Sequence, residues 1–95
     1  MATGPHLILF YDYVADIVER RAGHREAHLA RIAEWTGDGR IVMAGALGDP
    51  PTGAALVFAQ MPVEDVEGFA DADPYVAAGL VTGRRVVPWT VVASA

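Results

Sequence analysis

Apolar residues recur along the chain in two patterns, short runs typical of strands and the three-to-four-residue spacing typical of helices. Strands are predicted at residues 6–11, 40–47, 54–60 and 81–92. Helices are predicted at residues 14–35, 61–70 and, as a short turn, 75–80. The first helix could be interrupted at Ala22-Gly23, turn formers predict a loop at residues 48–53, and residues 71–74 break the second helix.

The order of these elements, strand, helix, strand, strand, helix, strand, is the split βαβ pattern of a ferredoxin-like fold. We therefore predict one α+β domain over residues 1–95, with a four-stranded antiparallel sheet and two helices on one face. The first and third strands are apolar on both faces, yet the helices can cover only one of them. A second copy packed sheet to sheet would cover the other face, which predicts a homodimer. The alternative is a monomer whose outer face, rich in small alanines, stays wet.

Composition narrows the class of protein and of partner. The 95 residues are 53% hydrophobic with a net charge of -5, so the clustered basic face that nucleic acid or an anionic membrane requires is not expected. The absence of cysteine excludes a disulfide framework, a thiolate nucleophile and a cysteine zinc site. The first residues lack a basic stretch and a long apolar run, so we expect no signal peptide, no membrane span and a cytoplasmic, soluble protein.

Polar side chains lie in the middle of the face that the first helix should turn toward the core. At 100° per residue, the core-facing stripe contains Val18, Leu29, Ile32 and Trp35. The same arc contains Arg21, Arg25 and His28. Because a buried unpaired charge costs several kcal/mol, these polar residues must be paired or line a cavity. Trp35 is predicted to pack under the helix.

His28 is the leading candidate for chemistry. A histidine on an apolar face is commonly a core residue bonded to a carbonyl, but Arg25 lies one turn before His28 and several carboxylates could orient its ring. His24 and His6 are expected at the surface. No metalloprotease-type histidine motif and no phosphate-cradling glycine loop occurs, so no metal and no cofactor is predicted.

The segment Asp-Pro-Tyr-Val-Ala-Ala-Gly at residues 73–79 is the second informative stretch. Asp73 could simply cap the helical turn that Pro74 begins, a contribution of about 1 kcal/mol, or it could also orient a histidine. The chain resembles the YciI-like, or YCII-related, family in this segment and in Arg25-x-x-His28-Leu29-Ala30-Arg31, Ala44-Gly45 and Pro88-Trp89. The match runs in order over most of the chain, and residues 73–79 are its most specific part.

The resemblance implies a dimeric ferredoxin-like α+β barrel with a pocket between sheet and helices, and a histidine–aspartate pair at His28 and Asp73. Members have been linked to small aromatic or lactone chemistry, and the family is related by fold to muconolactone-isomerase-like proteins. We therefore hypothesise a cofactor-independent lyase or isomerase in which His28 moves a proton on a small cyclic or aromatic oxygenated substrate. Asp73 would hold the imidazole tautomer and stabilise its cation, Arg25 would neutralise a substrate carboxylate or enolate, and Tyr75 would line the pocket.

Two alternatives use the same pocket. A non-catalytic ligand-binding or regulatory dimer would be favoured if His28 were fully bonded to backbone, and a module that works only with a partner enzyme is the third hypothesis. The catalytic hypothesis requires the side chains of His28 and Asp73 to lie about 2.6 to 3.2 Å apart or one water apart, beside a pocket that Arg25 and Tyr75 line.

Overall fold

The computed structural model describes residues 3–95. Its strands are β1 (Gly4–Tyr13), β2 (Ile41–Leu47), β3 (Gly53–Phe58) and β4 (Val81–Val91). Its helices are α1 (Ile17–Arg20), α2 (Arg25–Gly37), α3 (Val63–Asp71) and α4 (Pro74–Ala77). Within this part of the chain, no helix is long and apolar enough to cross a membrane.

The four strands form one antiparallel sheet in the order β2-β3-β1-β4. In the centre of the sheet, Leu9 of β1 pairs with Leu56 of β3 on one side and with Val86 of β4 on the other. This arrangement confirms the predicted ferredoxin-like α+β class. β1 and β3 occupy the two central positions, so the backbone of each is paired on both sides.

The core lies between one face of the sheet and the helices. Side chains from β1, β2 and β3 pack there against Val66, Phe69 and Ala70 of α3. Trp35 of α2 is half-buried, and its ring meets those of Phe58 and Phe69 edge-on at centroid distances of 5.9 and 4.9 Å. Trp35 therefore packs under the helix, as the spacing predicts.

The first predicted helix is two helices, because residues 21–24 form turns between α1 and α2. This break lies where Ala22-Gly23 could interrupt the pattern. It also changes the helical phase, so Val18 is 46% exposed and its predicted place in the core stripe is wrong. Leu29 is also 44% exposed, since it faces a pocket beneath α2 rather than the packed core.

The opposite face of the sheet is apolar and carries no helix among the described residues. Met43, Leu47 and Trp89 on this face are 59%, 42% and 42% exposed. The Arg85 guanidinium carbon lies 4.5 Å from the centroid of the Phe10 ring, so its charge rests on an aromatic face. We call this apolar surface of the sheet the outer face.

The other two histidines differ from each other in their surroundings. His24 is exposed, as expected. His6 is only 7% exposed, so the prediction of a surface residue is wrong. The His6 ring lies 2.8 Å from the Gly4 carbonyl oxygen, and its neighbour across the strand pair is Trp89.

Candidate active site

His28 and Asp73 meet beneath α2, although 45 residues separate them in the sequence. His28 lies in the first turn of α2, and Asp73 is the residue that precedes α4. The His28 Nδ1 atom is 2.8 Å from Asp73 Oδ1, and the two side chains are 7% and 1% exposed. The expected hydrogen bond is therefore present in a nearly dry environment, where it is stronger than in water.

The Asp73 carboxylate accepts three hydrogen bonds. Oδ1 accepts from His28 Nδ1 and, at 2.9 Å, from the backbone N–H of Tyr75. Oδ2 accepts from the Tyr11 hydroxyl, also at 2.9 Å. Asp73 is thus both the cap of α4, with Pro74 at the first helical position, and the partner of the imidazole. The two roles considered for this residue coexist.

The His28 ring has a defined orientation and tautomer. A carboxylate can only accept, so the neutral ring carries its proton on Nδ1 and presents a lone pair at Nε2. The ring stacks on Tyr75 with a centroid distance of 3.6 Å and an interplanar angle of 5°. Among residues 3–95, Asp73 is the ring's only hydrogen-bond partner. The Nε2 atom has no partner in this part of the chain, but it is not fully buried. His28 also lines a pocket, so Nε2 is the nitrogen available to a ligand.

This pocket has a volume of about 240 Å³ and lies between α2 and the inner face of the sheet. Its apolar lining consists of small residues on the sheet and two larger residues on α2, namely Ala44, Gly45, Ala46, Ala54, Leu56, Leu29 and Ile32. Its polar lining is Tyr13, Arg21, Arg25, His28 and Tyr75. The space exists because alanine and glycine occupy the sheet positions opposite α2. We call this cavity the His28 pocket.

The structure therefore brings the four predicted site residues together. His28, Arg25 and Tyr75 line the His28 pocket, and Asp73 lies behind it. Tyr11 and Tyr13 also belong to the site, although they were not predicted from the sequence. They follow from the alternation of β1, since residues two apart on a strand share a face, but nothing local indicates what that face meets.

Burial and neighbouring charges keep the tyrosines of the site protonated. Burial raises the pKa of Tyr13 to about 12, with smaller contributions from Tyr75 and Asp73, whereas Arg21 and Arg25 oppose the rise. Burial also raises the pKa of Tyr11, and the Asp73 charge adds to that effect. The pKa of Tyr75 is raised by burial as well. At neutral pH all three hydroxyls are therefore hydrogen-bond donors.

Residues 3–95 contain no group of three histidine, cysteine or acidic side chains placed to hold a metal ion. The groups that converge on the pocket are an imidazole, two guanidinium groups and phenols. These groups can exchange a proton with a bound molecule, donate hydrogen bonds to oxygen and attract negative charge.

The fold and the site define a ferredoxin-like α+β protein with a histidine–aspartate pair behind a small pocket. The sequence model of the YCII-related domain matches residues 5–90, and the chain belongs to that family. The protein YciI of Escherichia coli O6:H1 (strain CFT073) is 34% identical to this chain over 91 residues, which cover 86% of this chain and 93% of that protein. The YciI protein of Shigella flexneri gives the same identity and coverage.

A solved structure has a similar fold. It is 5-chloro-2-hydroxyhydroquinone dehydrochlorinase (TftG) from Burkholderia phenoliruptrix AC1100, in complex with 2,5-dihydroxybenzoquinone. The TM-score is 0.76 at 22% sequence identity, and the alignment covers 90% of this chain and 93% of that chain. At this identity the comparison shows that the two chains share a fold.

Proposed function

We propose that this protein is a small cofactor-independent enzyme of lyase or isomerase type, with His28 as its general acid and base. The observation that carries the proposal is the His28 ring itself. Asp73 fixes one ring nitrogen, Tyr75 stacks on the ring, and the other nitrogen is left for the pocket. An imidazole held in this way is oriented for proton transfer before a substrate arrives.

In the proposed reaction, Nε2 of His28 takes a proton from a carbon or hydroxyl of the substrate. The electron pair of the broken bond moves into the ring system, where an adjacent oxygen becomes an enolate. Asp73 stabilises the resulting imidazolium, and Arg25 stabilises the developing negative charge on oxygen. Return of the proton to a different atom completes an isomerisation. Departure of a leaving group with the electron pair, followed by loss of the His28 proton to the leaving group or to water, completes an elimination.

The substrate class is supported by the pocket and by the structural neighbour. A volume of about 240 Å³ lies below the range of about 300 to 1,000 Å³ typical of pockets for drug-sized ligands, so a single small ring is the expected occupant. TftG is named for its action on a chlorinated hydroxyhydroquinone and was solved with a dihydroxybenzoquinone. We propose that this chain also takes a small cyclic or aromatic oxygenated compound.

The proposal is tested with a panel of hydroxylated quinones, hydroquinones and unsaturated lactones in D₂O. Protein-dependent conversion or deuterium incorporation, followed by NMR, would reveal proton transfer even where no net product accumulates. His28→Gln should slow the exchange by about 10²- to 10⁴-fold, the usual contribution of a positioned general base. His24→Gln is the matched control, because His24 is exposed on the same segment and should be neutral.

Exchange that survives His28→Gln unchanged would refute the role of His28. Tight ligand binding without any exchange would favour the non-catalytic, ligand-binding alternative. A His28 ring bonded to backbone would have favoured that alternative, whereas the ring bonds to the Asp73 side chain.

We also propose that the chain forms a homodimer through the outer face of its sheet. Met43, Leu47 and Trp89 are exposed on this face, and an exposed apolar patch is typical of a surface that binds another protein. Light scattering after size-exclusion chromatography should give about twice the chain mass of 10.1 kDa. Met43→Lys should shift the mass toward the monomer, whereas Val18→Lys, at an exposed valine of α1, should not. A monomeric wild-type protein at micromolar concentration would refute the dimer.

A further inference from the structure

The seven basic residues of the chain are all arginines, and five of them have a partner within the described residues. The pairs are Arg20 with Asp16, Arg31 with the Phe69 carbonyl, Arg40 with Asp38, Arg84 with Asp71, and Arg85 with the Phe10 ring. Among residues 3–95, the side chains of Arg21 and Arg25 take part in no ion pair, hydrogen bond or ring contact. Both of these arginines line the His28 pocket.

The lining of the His28 pocket contains no negative charge to balance Arg21 and Arg25. No acidic side chain lines the His28 pocket, and the Asp73 carboxylate behind it is occupied by three donors. Both guanidinium groups lie close enough to Tyr13 and Tyr75 to oppose the rise of their pKa values. Two like charges therefore share one small cavity in a chain whose net charge is -5. An anionic ligand would remove their mutual repulsion.

We propose that Arg21 and Arg25 form an anion clamp at the His28 pocket, and that the substrate carries a carboxylate on its small ring. The inference deepens the proposed function and rests on it for the placement of the ring against His28. Arg25 alone could neutralise an enolate formed during the reaction. A second unpaired guanidinium would bind a negative charge that the substrate already carries before the reaction. A guanidinium group can donate two parallel hydrogen bonds to one carboxylate.

A larger surface groove also contains two arginines, but it differs from the His28 pocket because its arginines are paired. This groove, of about 580 Å³, lies at the far end of α2 and includes Arg31 and Arg40. Arg40 pairs with Asp38 and lies over the Trp35 ring, and further acids line the groove. Two arginines in a cavity are therefore not enough to indicate an anion site. The distinguishing feature of the His28 pocket is that its arginines are unpaired.

Binding is tested without turnover, with 2,5-dihydroxybenzoate and its neutral isostere 2,5-dihydroxybenzamide as probes. Amide chemical shifts of the labelled wild-type protein report the affinity. The benzoate should bind at least tenfold more tightly than the benzamide, and raising the salt concentration should weaken only the benzoate. Arg21→Gln and Arg25→Gln should each weaken benzoate binding about tenfold, which corresponds to about 1.4 kcal/mol, and leave benzamide binding unchanged. Arg20→Gln is the matched control, because Arg20 is adjacent in sequence and paired with Asp16.

The outcomes separate the clamp from the enzyme. Equal affinity for the two probes, or an Arg20→Gln variant as weak as Arg21→Gln, would overturn the clamp, while deuterium exchange on neutral rings would leave the proposed function standing. Benzoate binding that depends on both arginines, with no exchange on any ring, would support the clamp and overturn the enzyme. Tighter binding of phenyl phosphate than of benzoate would overturn the carboxylate as the recognised group.

Discussion

Removing the Asp73 carboxylate should destabilise the fold as well as the site. Asp73→Ala leaves three donors without their acceptor, namely the Tyr11 hydroxyl, the His28 Nδ1–H and the Tyr75 N–H. A buried unsatisfied donor costs about 1 to 3 kcal/mol, and a lost helix cap about 1 kcal/mol. Because His28 can change tautomer and water can enter, the separate costs will not add fully. We expect a loss of about 3 to 5 kcal/mol, which is less than the sum of three unsatisfied donors and one lost cap.

Asp73→Asn should cost much less. The amide oxygen can take the position of Oδ1 and keep the bonds from His28 and Tyr75, and the Tyr11 hydroxyl can turn to accept from the amide N–H. What is lost is the additional strength of bonds to a charged acceptor, so we expect a cost of about 1 to 2 kcal/mol. The charge that would stabilise an imidazolium is lost completely, and any catalysis should fall far more than stability does.

Urea denaturation followed by tryptophan fluorescence measures both variants. Asp71→Ala is the matched control, because Asp71 lies two residues away and its 69% exposed side chain pairs with Arg84 at the surface. That pair should contribute at most about 1 kcal/mol, as exposed ion pairs do. If Asp73→Ala cost no more than Asp71→Ala, the three hydrogen bonds would not hold the site together, and the orientation assigned to His28 would lose its basis.

Two further predictions concern the core and the tyrosines. Trp35→Ala should destabilise the protein by about 3 kcal/mol in the same urea assay, since it removes the ring between Phe58 and Phe69, whereas Val63→Ala at an exposed position should change little. The pKa of Tyr13 is raised to about 12 from its ordinary value near 10, so the stability that its burial provides is complete below pH 10 and is lost between pH 10 and 12. The urea midpoint should therefore decrease more between pH 8 and pH 11 for the wild type than for Tyr13→Phe. Equal decreases in the two proteins would contradict the raised pKa of Tyr13.

The sequence predicts the order of strands and helices well, because each strand is a run of apolar residues between turn formers. It fails at Val18, because a continuous 100° phase does not extend across the turns at residues 21–24, and at Leu29 for a different reason. Only the packed structure shows that Val18 belongs to a separate short helix. Leu29 keeps the predicted phase but faces the His28 pocket, which helical periodicity cannot distinguish from a filled core.

The part of the site on α2 could be predicted because polar side chains occur at positions where helical periodicity predicts apolar ones. A histidine and arginines within an apolar stripe indicated a cavity, and the resemblance to a family indicated Asp73 as the partner of His28. Tyr11 and Asp73 are 62 residues apart in the sequence, so no local sequence pattern predicts their hydrogen bond. Arg21 lies in the same arc as Arg25, but its importance depends on having no partner, which only the full set of contacts reveals.

One carboxylate thus supports both the fold and the proposed chemistry, which determines how the two can be separated by mutation. Any change at Asp73 alters the cap of α4 and the His28 ring together, so a loss of activity there would be ambiguous. His28→Gln leaves the bonds of Asp73 to Tyr11 and Tyr75 in place. Arg21→Gln breaks no ion pair or side-chain hydrogen bond among residues 3–95. The two arginines of the His28 pocket can therefore be altered with little cost in stability, whereas the buried contacts of Asp73 behind it cannot. Variants at the lining report on ligand and reaction, and variants at Asp73 report chiefly on the framework that holds His28 in place.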